Sequence, residues 1–441
     1  MDAIQKAIDS FRHDLQSVHD AEVAAGADAA LCKHLAFLFL LEQHEDSSTT
    51  EVSLTLQAME SVYKANSSTV DASFKRMGNE ILKLLVVIVD AEVKKRSVQP
   101  GEQRGDEASL AAGTRSAAGN PEGDSILQSL TKILGHFART GDATQPMARF
   151  PGLLPSLVQL ISITPYTSIP WQARLSALWV LANLACNADN MVLMAQTPGL
   201  IDCLITVASR PRSPDTDSVS TAMEILRSKS ISSRAILNLS WADTNKTALI
   251  HSHPRVLPWL CELTMHRTDA LSTSRTVAEL LTATRSHAVG ALRNLAAVTH
   301  TSKVTLCENT HLLDVLTDAA LNDHAAVQER ALAAINNLAV PATASRLVAR
   351  PALVMALKGV LMGNNNSKSD DGATNDIKQH ASKTLSVLER SVTPTMDSYQ
   401  NLKELLDDIN ASSQPYDIQR QQQQQQQQQR LETTNISTTP V

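Results

Sequence analysis

A helical phrase recurs four times in this chain, ending Leu181-Ala182-Asn183-Leu184-Ala185, Ile236-Leu237-Asn238-Leu239-Ser240, Leu292-Arg293-Asn294-Leu295-Ala296 and Ile335-Asn336-Asn337-Leu338-Ala339. Subtracting residue numbers, the asparagines at 183, 238, 294 and 337 stand 55, 56 and 43 residues apart. Repetition at roughly this period marks stacked helical units, each of which buries its apolar face only against its neighbours. The architecture is therefore set by contacts between successive units, not by one central core.

The register is carried by apolar residues two places before and one place after each asparagine: Leu181 and Leu184, Ile236 and Leu239, Leu292 and Leu295, Ile335 and Leu338. The same pair recurs as Leu134 and Phe137 around His136, and as Leu385 and Leu388 around Val387, which makes six units with one core stripe. This register predicts that Leu184, Leu239, Leu295 and Leu338 are buried between helices. A second apolar stretch follows each phrase, as in Gly152-Leu153-Leu154-Pro155 and Gly199-Leu200-Ile201. From His136 to Gly152 and from Asn183 to Gly199 the step is the same, 152 − 136 = 199 − 183 = 16 residues. Each unit is thus several helices joined by tight turns.

These residues resemble armadillo repeats, whose last helix reads like Ala177-Leu178-Trp179-Val180-Leu181-Ala182-Asn183-Leu184-Ala185 and whose middle helix reads like Gly199-Leu200-Ile201. The resemblance covers residues 125–392 and implies an all-α, right-handed superhelical solenoid; a HEAT-like stack is the alternative. It weakens where His136 and Val387 replace the asparagine.

Composition agrees with the all-α reading. Hydrophobic residues make up 43% of the 441 but aromatics only 3%, which suits Ala/Leu-rich helices packed closely, and 15 glycines are few for a turn-dense β protein. The formal charge of −6 gives no overall field favouring nucleic acid or an acidic membrane. Cys32, Cys186, Cys203, Cys261 and Cys307 show no pairing or ligand spacing and read as small buried hydrophobes in a reducing compartment. The start, Met1-Asp2-Ala3-Ile4, lacks the pattern of a secretory signal, and the strongest apolar runs fall short of the roughly 20 residues a membrane span needs. Cytoplasmic or nuclear placement is the expectation.

Along the chain, residues 1–95 read as a helical N-terminal region, a cap or degenerate repeats, and 96–124 as a flexible linker rich in Gly, Ala, Ser and charge. Polar insertions near 209–220 and 363–376 interrupt the repeats and account for their uneven spacing. Residues 393–441 read as a mostly disordered tail, with one amphipathic piece at Tyr399, Leu402, Leu405, Leu406 and Ile409 and an unbroken run from Gln421 to Gln429.

No phosphate loop, nucleophile elbow, H-E-x-x-H or Cys/His zinc spacing occurs, so neither an enzyme nor a cofactor has support in the sequence. His251-Ser252-His253 lacks a partner at ligand spacing and reads as a turn before Pro254.

Helical geometry places the residues at −7, −4, 0 and +3 from each asparagine on one stripe. Unit by unit the stripe holds Lys132, His136 and Arg139; Trp179, Asn183 and Cys186; Arg234, Asn238 and Trp241; His287 and Asn294; Arg330 and Asn337; and His380, Lys383 and Arg390. None of these slots carries an acid. The armadillo resemblance implies that Asn183, Asn238, Asn294 and Asn337 hydrogen-bond the backbone of an extended partner peptide. Trp179 and Asn183 also resemble the W-x-x-x-N pair of importin-α, which holds basic cargo, but the −4 slots that follow are Arg234, Gly290 and Ala333. The stripe more closely resembles the basic groove of β-catenin-like proteins, which accept acidic extended segments; Arg can pair a carboxylate or phosphate bidentately, and Trp179 and Trp241 give apolar anchors between the charges. The expected function is a non-catalytic protein-binding scaffold or adaptor for an extended, acidic peptide, with no small-molecule substrate. An importin-α-like receptor for basic cargo and a nucleic-acid binder using the same stripe are the alternatives.

Overall fold

The computed structural model describes residues 121–164, 169–209, 219–266, 274–362 and 371–391, scattered positions between 53 and 94, and Lys403 and Asp407. The glutamine run, the insertion cores at 210–218 and 363–370, and Cys32 lie outside the described residues. Lys403 and Asp407 are helical and exposed, and the apolar residues of the amphipathic piece lie outside the described residues.

From Pro121 to Ser391 the described residues form sixteen helices, and no strand occurs among the described residues. They are α1 Pro121–Phe137, α2 Gly141–Arg149, α3 Leu153–Ser162, α4 Trp171–Leu184, α5 Ala188–Gln196, α6 Leu200–Ala208, α7 Val219–Leu239 and α8 Asp243–His251. There follow α9 Val256–Met265, α10 Arg275–Ala296, α11 His300–Glu308, α12 Thr310–Asn322, α13 Ala325–Leu338, α14 Ala344–Val348, α15 Pro351–Leu361 and α16 Asp371–Ser391. Grouped by threes from α2, they form repeats of a short first helix, a second helix and a longer third helix, which ends in the asparagine phrase in α4, α7, α10 and α13 and carries Val387 at that register in α16. The chain divides into two compact units, Met1–Ala291 and Leu292–Val441, with the division inside α10.

The turn between first and second helices is made by Pro151-Gly152 and Pro198-Gly199 in the first two repeats. Both glycines are left-handed, with φ of 87° and 75°, and the bend between α5 and α6 is 86°. A β-carbon on Gly152 would lie 3.2 Å from Val86 Cγ1, whereas one on Gly199 would lie 3.6 Å from Val158 Cγ1. Gly152→Ala is accordingly expected to destabilise the protein by about 1–2 kcal/mol and Gly199→Ala by less, because only the former adds crowding to the left-handed strain. Thermal melting of the two variants side by side checks the order.

The four predicted core leucines, Leu184, Leu239, Leu295 and Leu338, are all fully buried, as are Leu134 and Phe137 of the unit that lacks the asparagine. Buried polar side chains tie the helix ends together. Asn190 Nδ2 in α5 donates to the carbonyls of Leu184, at 3.1 Å, and Thr144, at 2.9 Å. Asn245 in α8 repeats the arrangement, donating to Leu239 O and Met191 O, both at 2.9 Å. In the second compact unit Thr343 Oγ1 donates to Leu338 O at 2.5 Å. Each time, the free carbonyl at the end of a third helix is satisfied from the helix or turn that follows.

A second recurrent device lies nine residues before the asparagine. Arg174, fully buried, donates from Nη1 to Ile161 O and from Nη2 to Ile163 O at 2.6 Å, closing the carboxyl end of α3. Arg285 Nε donates to Thr264 O at 3.0 Å at the end of α9, and Gln328 Nε2 to Leu321 O at 3.4 Å near the end of α12. A cation or amide donor aimed at the last carbonyls of a helix is favoured by both hydrogen bonding and the helix dipole.

The repeat register extends further toward the N-terminus than 125. Val86 faces Gly152 as Val158 faces Gly199. Four residues on, Asp90 accepts from Ser156, just as Ser162 bonds Cys203. Residues 86–90 therefore hold a second-helix position, and α1 is the third helix of that repeat. It begins at Pro121, inside the stretch that composition assigns to the linker.

Candidate functional site

The face formed by the third helices is most completely assembled in the first compact unit, where α1, α4 and α7 follow one another. Trp179 on α4 is 41% exposed, and Trp241, in the turn just past α7, is 64% exposed. Arg234 of α7 reaches back to α4: its guanidinium carbon sits 4.9 Å from the Trp179 ring centroid, and Nη2 donates to Asn183 Oδ1 at 2.7 Å. Asn238, one turn on, donates from Nδ2 to Cys186 Sγ at 3.1 Å and, at 3.4 Å, to Ala182 O. Five stripe residues from two successive repeats thus converge, Trp179, Asn183, Cys186, Arg234 and Asn238, with Trp241 at the edge.

The asparagines brace their own stack at the same time. Asn337 Nδ2 donates to Arg293 O at 3.2 Å, across to the preceding third helix, in the way Asn238 meets Ala182 O. Asn294 is buried, at 9% exposure. His287 is half-buried and turned onto α7, with Nδ1 3.2 Å from Ser230 O and 3.4 Å from Ser233 Oγ.

The expected charge of the stripe needs correction in three places. Lys132 Nζ is paired with Glu60 at 2.8 Å. Burial, followed by the nearby Arg139 and, more weakly, Lys132, holds His136 below the ordinary imidazole range, so it adds no charge near neutral pH. In the second compact unit Glu329 stands between Arg293 Nη1, at 3.8 Å, and His380 Nε2, at 3.7 Å. The stripe slots themselves carry no acid, but neighbouring positions lean carboxylates across them. Positive charge is left on Arg234 and on the exposed Arg139, Lys383 and Arg390, while Arg330 is half-buried.

The cysteines also divide. Burial pushes the thiols of Cys203 and Cys307 up to about 11 and that of Cys261 up to about 12, as expected of inert core residues. Cys186 is exposed, beside Asn238 and Arg234 rather than in the core. His251 and His253 lie at the end of α8 and in the turn before Pro254, and no group of three metal-ligating side chains occurs among the described residues. No described helix is by itself long and apolar enough to cross a membrane.

Three helices per repeat, the first of them short and in α5 turned 86° from the second, separate this architecture from two-helix HEAT units. The fold is armadillo-like. No family model matches the chain, and curated proteins give no match. Among solved structures it is similar to a computationally designed armadillo repeat protein for modular peptide recognition, at 19% identity and a TM-score of 0.46, over 61% of this chain and 95% of that one. A second neighbour, an engineered protein, has 17% identity and a TM-score of 0.45, over 69% of this chain and 98% of that one.

Sequence reasoning missed Glu60 and Glu329, whose effect depends on which helices meet. It also missed the second set of asparagines, although Asn190 and Asn245 follow Asn183 and Asn238 by the same interval, 190 − 183 = 245 − 238 = 7 residues. That interval was the available signal.

Proposed function

We propose that the chain is a protein-binding scaffold that receives an extended peptide segment across α4 and α7, with an acidic or phosphorylated side chain directed at Arg234. The observation that carries this reading is the assembly of Arg234, Trp179, Asn183 and Asn238 beside the exposed Trp241. Exposed aromatic anchors next to a forked cation are what peptide recognition uses: the rings bury apolar stems, and the guanidinium pairs a carboxylate bidentately. Asn238 spends its amide N–H groups on Ala182 O and Cys186 Sγ, which leaves its amide oxygen as the atom to accept a peptide N–H that would otherwise lose its water. Nucleic acid is disfavoured by the net charge of −6 and by the carboxylates of Glu60 and Glu329 beside the stripe cations.

The test is fluorescence anisotropy with two labelled extended peptides of matched apolar content, one carrying glutamates and the other lysines, at two salt concentrations. Arg234→Glu is expected to weaken the glutamate peptide by about tenfold or more, since like charges facing each other across an interface are costly. Stability should fall as well, by about 1–3 kcal/mol, because the substitution gives up the stack on Trp179 and the bond to Asn183, so binding is compared well below the melting temperature of the variant. Asn238→Ala should weaken both peptides alike, its contact being to backbone. Equal binding of the glutamate peptide by wild type and Arg234→Glu would refute the reading. Efficient competition by single-stranded nucleic acid would favour the other class of partner.

A further inference from the structure

We infer that Arg234 is a resident occupant of a cation site built by Trp179 and Asn183, and that it sets the charge this face accepts: carboxylate or phosphate taken, ammonium refused. The inference rests on the peptide-binding reading above but goes beyond it, because it assigns specificity to one side chain and states what removing that side chain creates.

An indole face and an amide oxygen on one helix, four residues apart, are a ready receptor for a cation: the ring attracts positive charge through its quadrupole, and the oxygen accepts a charge-assisted hydrogen bond. Both halves are already used. The guanidinium carbon of Arg234 lies 4.9 Å from the Trp179 centroid, inside the roughly 6 Å range of the interaction, and Nη2 reaches Asn183 Oδ1 at 2.7 Å. The occupant comes from the next repeat, 51 residues along the chain, so it is present at the high effective concentration of a tethered ligand. A free lysine or arginine of a partner must displace it. Guanidinium suits the role better than ammonium, since it is planar, stacks on rings and is more weakly hydrated.

The same placement turns the site outward with opposite preference. Nη2 is held by Asn183 and lies 3.6 Å from Cys186 Sγ, whereas Nε and Nη1 have no hydrogen-bond acceptor among the described residues. They remain available as donors to an incoming group. Stacking and the bond to Asn183 fix the guanidinium in place, so an incoming carboxylate meets a pre-oriented donor.

Two readouts test the inference, one of them independent of any peptide. With only four tryptophans, the indole N–H resonances of the nitrogen-15-labelled chain can be assigned by substitution. Titration with n-butylammonium is expected to leave the Trp179 resonance of the wild type unmoved and to shift it saturably in Arg234→Ala. Arg234→Ala should also bind the lysine peptide about tenfold more tightly than wild type does, equivalent to about 1.4 kcal/mol, and lose its preference for the glutamate peptide. Arg234→Ala combined with Trp179→Ala should show no gain for lysine. A wild-type indole that responds to the ammonium as strongly as the variant's, or a variant indole that does not respond, would overturn the inference. If neither peptide binds either protein, the peptide-binding reading falls, and the indole titration still decides whether Arg234 occupies the site.

Discussion

Replacing Arg174 by alanine is expected to cost about 3–5 kcal/mol of folding stability, more than any change on the face proposed to bind peptide. The side chain is fully buried and closes the end of α3 by donating to the carbonyls of Ile161 and Ile163. Truncation leaves two buried acceptors without their donor, at about 1–3 kcal/mol each, and opens a cavity as well. Arg174→Lys should recover only a small part of the loss, because a single ammonium cannot fork to two carbonyls as a guanidinium does. Urea unfolding followed by tryptophan emission suits the measurement, since Trp171 and Trp179 lie on the same helix as Arg174. A loss below about 1 kcal/mol would mean that water or another donor takes over both carbonyls.

Leu295→Ala is expected to cost about 2–5 kcal/mol, the range for truncating a buried leucine whose surroundings cannot collapse into the space. Leu295 is fully buried beside the equally buried Leu292 and Ala296 at the end of α10. Stability measured by chemical denaturation against Ala297→Gly, at an exposed position just past the helix, separates the packing loss from a general weakening of that turn. If both variants lose the same small amount, the core register built on the asparagine phrases is wrong at this repeat.

What was legible in the chain was its periodicity. Leu184, Leu239, Leu295 and Leu338 could be placed in the core because their offset from each asparagine repeats, and burial of an apolar side chain needs only a face, not a named partner. Arg174, Arg285 and Gln328 were not legible as interior residues. By polarity each belongs outside, and each is buried only because a helix end happens to arrive there with carbonyls to satisfy. The site shows the same division. The stripe gave the identities of Trp179, Asn183, Arg234 and Asn238, but that Arg234 lies on Trp179 rather than in solvent depends on how α7 stacks on α4. Glu329 is one position before a stripe residue, so a rule about slots passes over it, while in space it meets Arg293 and His380.

The extra segments all interrupt the chain at the same joint. Residues 165–168, 210–218, 267–273 and 363–370 each separate a second helix from the third helix of the same repeat, and with 86–90 in a second-helix position and α1 as a third helix, the stretch before Pro121 does too. The number of residues between two asparagines is therefore a measure of inserted sequence and not a ruler for the protein. A reporter or recognition tag spliced between Met362 and Asp371 would lengthen a seam that already varies, leaving the asparagine phrases in their helices. The same length of chain placed between Asn187 and Asn190 would part the side chains that tie α5 to the repeat before it. In the repeats α5–α7 and α8–α10 one seam is open to lengthening, and the other is closed by its own asparagine.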